Sequence, residues 1–568
     1  MWQPSESASI GCGTQQDIRG SSTPQQGALV TAVSDESSSS RRRGRPYRFP
    51  EDSSPLSRVH GGVDQRVAWL LGSSRIHGSD TAMAHRDQFV AALKDLGIAA
   101  DQARVSRWES GSQRVPDRVV AAYEEVLGLA PSHLSAAING LRRSLEPDSD
   151  KAEIVTTDPS RLHEDLDRLF AHVDAEEPHG SRWLQLTSYL ATHPQIYMRD
   201  KSWKQLADSL ILELGRSVGA AYYRRYEALR TLIRHPGAQR HVVKAIGKFV
   251  TDPAAQVVMH PLTLLQEVDH HKAGDLATRL LTTESGMLQQ GAAWVTAAKV
   301  ARRHYDDNAL KQLEAAVIML LGAGPSSLPD VDLLDVAARL PEEARKRIML
   351  AMRDTAVQAR FEVLVRTGEI LPQDVTRHVA SRVAEAAQAA TPPPYRIEPD
   401  MMLHRLVREA LFHGHQERRH RAAVLLSVSP YSAGVAAACA HTIDHSDEVV
   451  ALQAAMLLRY MATELQRDDL RRWAADDARL EVRGAALLTL GRLPQGIGAD
   501  DESVILQALE SSTKRPTQRA SLYALGMGGS SALKDLKGNG GDFQRRAAHW
   551  WLRTGSAIHE SATIDGQA

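Results

Sequence analysis

The chain has 568 residues, enough for about three or four domains at ~150 residues each. Hydrophobic residues make up 43% and charged residues 24%, the balance of a folding chain with a sizeable core. Lys+Arg 68 against Asp+Glu 69 leaves a net charge of -1, which excludes a globally polycationic, histone-like coat protein but not a small basic surface on a neutral body.

Aromatic residues are only 5%, and alanine and leucine fill the apolar positions instead, which favours helices over sheets. Cys12 and Cys439 support neither a disulfide framework nor a four-cysteine zinc site, and they suit a reducing compartment. The opening segment has no basic stretch followed by an apolar core. The longest apolar runs, such as 315–321, fall far short of the ~18–20 residues that span a bilayer. A cytoplasmic protein with no membrane contact is expected.

In chain order, residues 1–60 are rich in Ser, Gly, Gln and Pro, lack a periodic apolar pattern and are expected to be a disordered tail. A compact helical unit is expected over 61–145, followed by a polar joint at 146–150. Asp158 then reads as an N-cap before Pro159 at the first helical position. Behind it, Leu162, Leu166, Leu169, Phe170 and Val173 share one helix face. Similar stripes recur at Trp203, Leu206, Leu210 and Leu214, and at Tyr222, Tyr226, Leu229 and Ile233. These aromatics are expected to pack between helices, with a pocket as the alternative. The expected fold class is all-α, with a weakly repeat-like helical region over 151–390. A proline joint at Pro392-Pro393-Pro394 leads into a second helical region over 395–560.

That second region carries a repeated pattern of a small-residue pair followed by a Leu-rich stretch, often with Arg just upstream. Its copies begin at Ala422, Ala454, Ala485, Ala520 and Ala547, at steps of 32, 31, 35 and 27. A period near thirty predicts stacked helical hairpins, in which small residues let neighbouring helices approach. The pattern resembles HEAT-type repeats over 420–555 and more weakly over 158–390. There, turns at His235-Pro236 and Asp252-Pro253 lie 17 residues apart and read as opening consecutive helices. An irregular α bundle is the competing reading.

The stretch richest in chemical information runs over 85–116. Phe89, Val90, Leu93 and Leu96 fall on one face of a helix that Gly97 is suited to end in a left-handed cap. Asp101 is a good N-cap for a second short helix, which Gly111 closes. A third helix over 119–127 supplies Val120, Tyr123 and Val126, and the stretch 66–71 is expected to cover the back of the unit. Two short helices joined by a glycine turn are the geometry of a helix-turn-helix. At ~100° per residue, Val105 and Trp108 face the core while Gln102, Ala103, Ser106 and Arg107 point away and Arg104 lies on the flank. Gln and Arg suit base edges in a major groove, at roughly 1–3 kcal/mol of discrimination each. Arg104 and Arg114 suit phosphate contacts, and the helix N-terminus favours a phosphate nearby.

At Val105-Ser106-Arg107-Trp108-Glu109-Ser110-Gly111, with Pro116 beyond, the segment resembles the phage repressor/Cro-type (XRE family) helix-turn-helix. Residues 119–129 are similar to that family's following helix in the form common in actinobacterial regulators. The resemblance covers about 75 residues and implies sequence-specific binding of double-stranded DNA, commonly as a homodimer with recognition helices ~34 Å apart. The turn from Gly97 to Gln102 is about two residues longer than the family's usual spacing. That leaves open which of Gln102, Ala103 and Arg104 enters the groove first. Asp87, Asp95, Glu124 and Glu125 soften the local charge.

Weaker signals remain. Arg43-Gly44-Arg45-Pro46 resembles an AT-hook for the minor groove of A·T-rich DNA, against the alternative of an unstructured basic patch. His413, His415 and His420 around Glu417, and His270-His271 after Asp269, read as solvated helix ends rather than metal ligands. No phosphate-loop, dinucleotide or His-Glu-x-x-His motif is present, so neither an enzyme nor a cofactor is expected. The expected function is a DNA-binding transcription regulator whose solenoid oligomerises or binds a protein partner. The rivals are an interaction scaffold with a purely structural helix-turn-helix, and an enzyme with an unrecognised site within 158–390.

Overall fold

The computed structural model describes residues 46–58, 61–146, 159–174, 178–322 and 330–561. Cys12, Arg43, Arg45 and Asp158, and all but the first residue of the expected joint at 146–150, lie outside the described residues. Helix-favouring alanine and leucine, punctuated by capping aspartates, give α-helices and no named strand among the described residues. Asp101, Asp354, Asp400 and Asp447 each accept a first-turn amide hydrogen bond.

The first five helices are α1 Val63–Ile76, α2 Arg86–Asp95, α3 Gln102–Ser110, α4 Asp117–Val126 and α5 His133–Leu145. Next come α6 Pro159–Val173, α7 Gly180–Thr192, α8 Asp200–Arg216, α9 Gly219–Arg234, α10 Gln239–Val250 and the short α11 Met259–Thr263. They are followed by α12 His271–Thr283, α13 Met287–Ala301, α14 Asp307–Gly322, α15 Asp330–Arg339, α16 Glu342–Ala351, α17 Thr355–Thr367 and α18 Gln373–Ala390. After the proline joint come α19 Met401–Phe412, α20 Gln416–Val428, α21 Ser432–His445, α22 Glu448–Leu458 and α23 Arg467–Ala475. The last five are α24 Leu480–Leu490, α25 Ala499–Ser511, α26 Arg515–Met527, α27 Ala532–Asn539 and α28 Asp542–Thr554. The Asp252 turn, expected to open a full helix, leads only to the five-residue α11.

Two apolar cores organise these helices. One spans residues 173–364. The other joins residues 49–145 to the helices from Ala380 onward, so α1 to α5 share a core with chain more than two hundred residues away. α5 packs on α20. Trp69 of α1 stacks on Tyr431 at 6.1 Å, and its Nε1 donates to Asp400 at 2.8 Å.

The small-residue copies fall on α20, α22, α24, α26 and α28, each the second helix of a packed pair. α22, α24, α26 and α28 pack successively on one another, while α20 leaves that line to meet α5. Small residues permit the approach: a Cβ at Gly491 would lie 2.6 Å from Ala524 Cα, and one at Gly526 would overlap the Trp551 indole. Beyond α28 the chain returns to α8 and α9. Ile558 exchanges backbone hydrogen bonds with Arg216 and Val218, and Glu560 accepts from Arg224 at 2.8 Å.

The expectation of disorder up to residue 60 fails for 46–58. Phe49 and Leu56 are buried, and Asp52 accepts from the buried Arg66 at 2.9 Å. Arg405 clamps the segment by donating to the Asp52 and Ser54 carbonyls. Apolar anchors and a charge partner for Arg66 hold a stretch whose composition alone signals neither. His413 and His415 are likewise buried rather than solvated. His413 Nε2 donates to the Leu56 carbonyl at 3.0 Å, and His415 Nδ1 lies 2.8 Å from Asp335.

Gly526→Ala should lower stability by about 1–3 kcal/mol through overpacking against Trp551, read as a lower urea midpoint without loss of helicity. Acid should also weaken the seam between α1–α5 and the later helices. Burial pushes His77, 3.1 Å from the Tyr431 hydroxyl, and His133, which donates to the Val428 carbonyl at 3.3 Å, each down to about 4. The unfolded chain, with histidines near 6.5, then takes up protons first. This stabilisation is complete above about pH 6.5 and is lost between there and about pH 4, at up to about 1.4 kcal/mol per pH unit for each histidine. Asp400, which burial raises to about 6, acts in the opposite sense. His133→Gln should therefore flatten the fall of the urea midpoint across that window.

Candidate nucleic-acid interface

α3 is positioned by a buried stripe. Val105 is 0% exposed and Trp108 3%, while Gln102, Ala103 and Arg107 on the opposite side are exposed, and Arg104 and Ser106 are half-buried. The helix starts at Asp101, whose Oδ1 accepts the Arg104 amide at 2.6 Å, and stops at Gly111 in the left-handed conformation. A Cβ at Gly111 would lie 3.1 Å from the Asp64 backbone, so the positive φ and the close approach to α1 both call for glycine.

Five of the expected contact residues therefore lie along one helix. Arg104 also donates to the Ala99 carbonyl, holding the long turn that precedes α3. Arg107 Nε donates to Gln113 Oε1 at 3.3 Å, and the hydroxyls of Ser110 and Ser112 donate to the Arg107 carbonyl. Arg114 is exposed but lies 3.2 Å from Glu146, so its charge is partly offset. Gln113 and Ser112, exposed beside Arg107, were not among the expected contacts, although the polar run between Gly111 and Pro116 signals such a loop.

Two expectations need correction. Leu96 is 38% exposed: α2 ends at Asp95, and the left-handed Gly97 turns the chain so that Ile98 packs on the core instead. Glu124 does not soften the surface charge, because it is buried and accepts the amides of Ser132, Leu134 and Ser135 at the start of α5. Asp117 is partnered by Arg142 at 2.5 Å, leaving Asp87, Asp95 and Glu125 as exposed acids nearby.

Comparison of the chain with protein-family models gives no match, and comparison with curated proteins gives none either. The residues themselves must carry the functional argument. Among the described residues no group of three or more His, Cys, Asp or Glu side chains is arranged to hold a metal ion, and no helix is long and apolar enough to cross a membrane.

The packing of α3 has an ionic component that its polar sequence conceals. Glu109, buried beside Val105 and Trp108, receives Arg75 of α1 in two parallel hydrogen bonds of 2.6 and 2.9 Å, with the Tyr123 hydroxyl at 3.3 Å. Breaking such a pair strands a buried charge. Glu109→Ala should cost about 3–5 kcal/mol in urea unfolding, and the double variant Arg75→Met, Glu109→Leu should recover most of it.

Proposed function

We propose that the chain is a sequence-specific regulator that binds duplex DNA through α3, used as the second helix of a repressor/Cro-type helix-turn-helix. The observation that carries this reading is the division of α3 into a buried Val105–Trp108 side and an open side bearing Gln102, Ala103 and Arg107. A helix held from behind with Gln and Arg outward has the chemistry for adenine and guanine edges. Arg104 and Arg114 flank it as phosphate contacts, and a tail hook at Arg43 and Arg45 would add minor-groove contacts. The later helices, read as a HEAT-like solenoid, would oligomerise the protein or bind a partner. A homodimer would present its two α3 helices to a near-palindromic site.

A second reading is favoured by one observation: α1 lies almost wholly buried, with Arg66 and Trp69 committed to Glu409 and Asp400. In that scaffold reading the five-helix unit serves packing, and α3 contacts protein instead.

Mobility shifts on selected genomic fragments separate the two. Arg107→Ala should reduce discrimination between cognate and mutated sites by about 1–3 kcal/mol. Arg114→Ala should weaken all sequences alike and lower the salt slope by about one, and Glu146→Gln should raise affinity without changing preference. Retention that is salt-independent and unmoved by all three variants favours the scaffold.

A further inference from the structure

Charge is spread unevenly along the chain. Residues 514–554, which contain α26 to α28, hold eight Lys and Arg residues against two acids, in a chain whose net charge is -1. All eight cations are exposed, and among the described residues only Arg545 is in an ion pair, with Asp542. In α23, by contrast, Arg467, Arg471 and Arg472 all meet aspartates.

The cations of α26 and α28 form one face. Arg515 lies 4.2 Å over the Phe543 ring and Arg519 5.9 Å from it, which holds the start of α26 against the start of α28. Arg515 donates to Gln518 at 3.2 Å, while the Arg519 guanidinium has no hydrogen bond among the described residues. Burial and the neighbouring charge of Arg515 push the Arg519 pKa down. Arg546 follows Phe543 at helical spacing, and Arg553 lies two turns further along the same flank. α28 packs on α26 and α27, and Trp550 reaches Phe249 of α10 at 6.4 Å, while the flank bearing Arg546 and Arg553 stays open.

Keeping a terminal pair of helices in solution requires polar residues of either sign, so solubility does not account for one sign alone. An exposed arginine gains little from a carboxylate in water, because screening and lost side-chain freedom offset the attraction. Against duplex DNA it gains more, since each phosphate it neutralises releases condensed counterions. From Arg546 to Arg553 the helix rises ~10 Å, and that length of duplex carries about six charges. We propose that the exposed basic face of α26 and α28 is a second contact surface, which binds the backbone of duplex DNA without reading its sequence. Its place in a regulator rests on the reading of α3, whereas its attraction for duplex does not.

Fluorescence anisotropy of a dye-tagged random-sequence duplex, titrated with the full-length chain at several salt concentrations, tests the surface. The fourfold variant Arg515→Gln, Arg519→Gln, Arg546→Gln, Arg553→Gln should weaken binding about tenfold or more at low salt. It should also lower the log–log salt slope by about three to four. Lys346→Gln, at an exposed cation already paired with Glu342 and Glu343, should leave both unchanged. A folded fourfold variant with an unaltered slope overturns the surface and gives the face to an acidic protein instead. Absence of any salt-dependent retention of the duplex overturns it too. If the fourfold variant fails to fold, Arg546→Gln with Arg553→Gln, away from the Phe543 stack, decides alone, with an expected fall in slope of about two. Arg114→Ala separates this surface from α3. If α3 makes no DNA contact, Arg114→Ala leaves the slope intact while the fourfold variant still lowers it; if the α26–α28 face makes none, the reverse holds.

Discussion

Arg66 is a guanidinium with 1% of its side chain exposed, and the structure is arranged to meet its charge. Glu409, 343 residues away in sequence and fully buried, takes two of its hydrogen bonds, and Asp52 takes another. Burying an ion is costly unless geometry and further hydrogen bonds compensate, so each partner must be delivered accurately. Delivery of Glu409 fixes α19 against α1. Delivery of Asp52 orders the segment before α1, which has little apolar content of its own. Arg405 and Arg418 then share Glu409, and together these arginines hold that carboxyl well below its usual range against the opposing effect of burial. With α1 closed off on all sides, α3 and the loop to α4 are left as an open polar face of the five-helix unit.

A second ion network repeats the logic further along. Arg143 of α5 pairs with Glu227 of α9, and Glu267, 3.7 Å from Arg143, also meets Arg302 and Arg421. Burial raises the Glu267 pKa, but those arginines outweigh it and hold the group well below the carboxylate range. α5, α9, α13 and α20 are thereby tied at one place. At the other end of the helical line, Glu560 joins Arg224 and Arg225 of α9. The helices after α19 are consequently anchored at their start by α5 and at their end by α9, a closed arrangement that apolar periodicity alone would not enforce.

This division explains what the sequence discloses. Signals confined to one helix were legible: Asp101 and Gly111 as the ends of α3, and Val105 and Trp108 as its inward stripe. Signals that depend on a partner far along the chain were not. Glu109 falls on the wheel position beside Val105, so its burial was implicit, but nothing local names Arg75 as its partner. Residues 46–58 look like tail until Arg66 and Arg405 are placed. His413 and His415 look like polar helix ends until Leu56 and Asp335 are seen to receive them. Gln102, Ala103 and Arg107 lie outward as the helical wheel expects, Ser106 is half-buried instead, and the wheel is silent on what any of them touches.

The ionic anchoring also constrains how a regulator of this kind would work. A DNA-binding unit on a flexible linker searches for its half-site independently of the body, and the linker's reach sets the spacing. Here α1 and α5 are fused into the same core as α19 to α21, so α3 has a fixed orientation on a large body. In a homodimer, its spacing to a second α3 would then be set by contact between bodies. A shift of one helix against another near α5 or α20 would move α3 as a rigid element. Packing that rules out independent motion of the five-helix unit is therefore what would carry such a shift to α3.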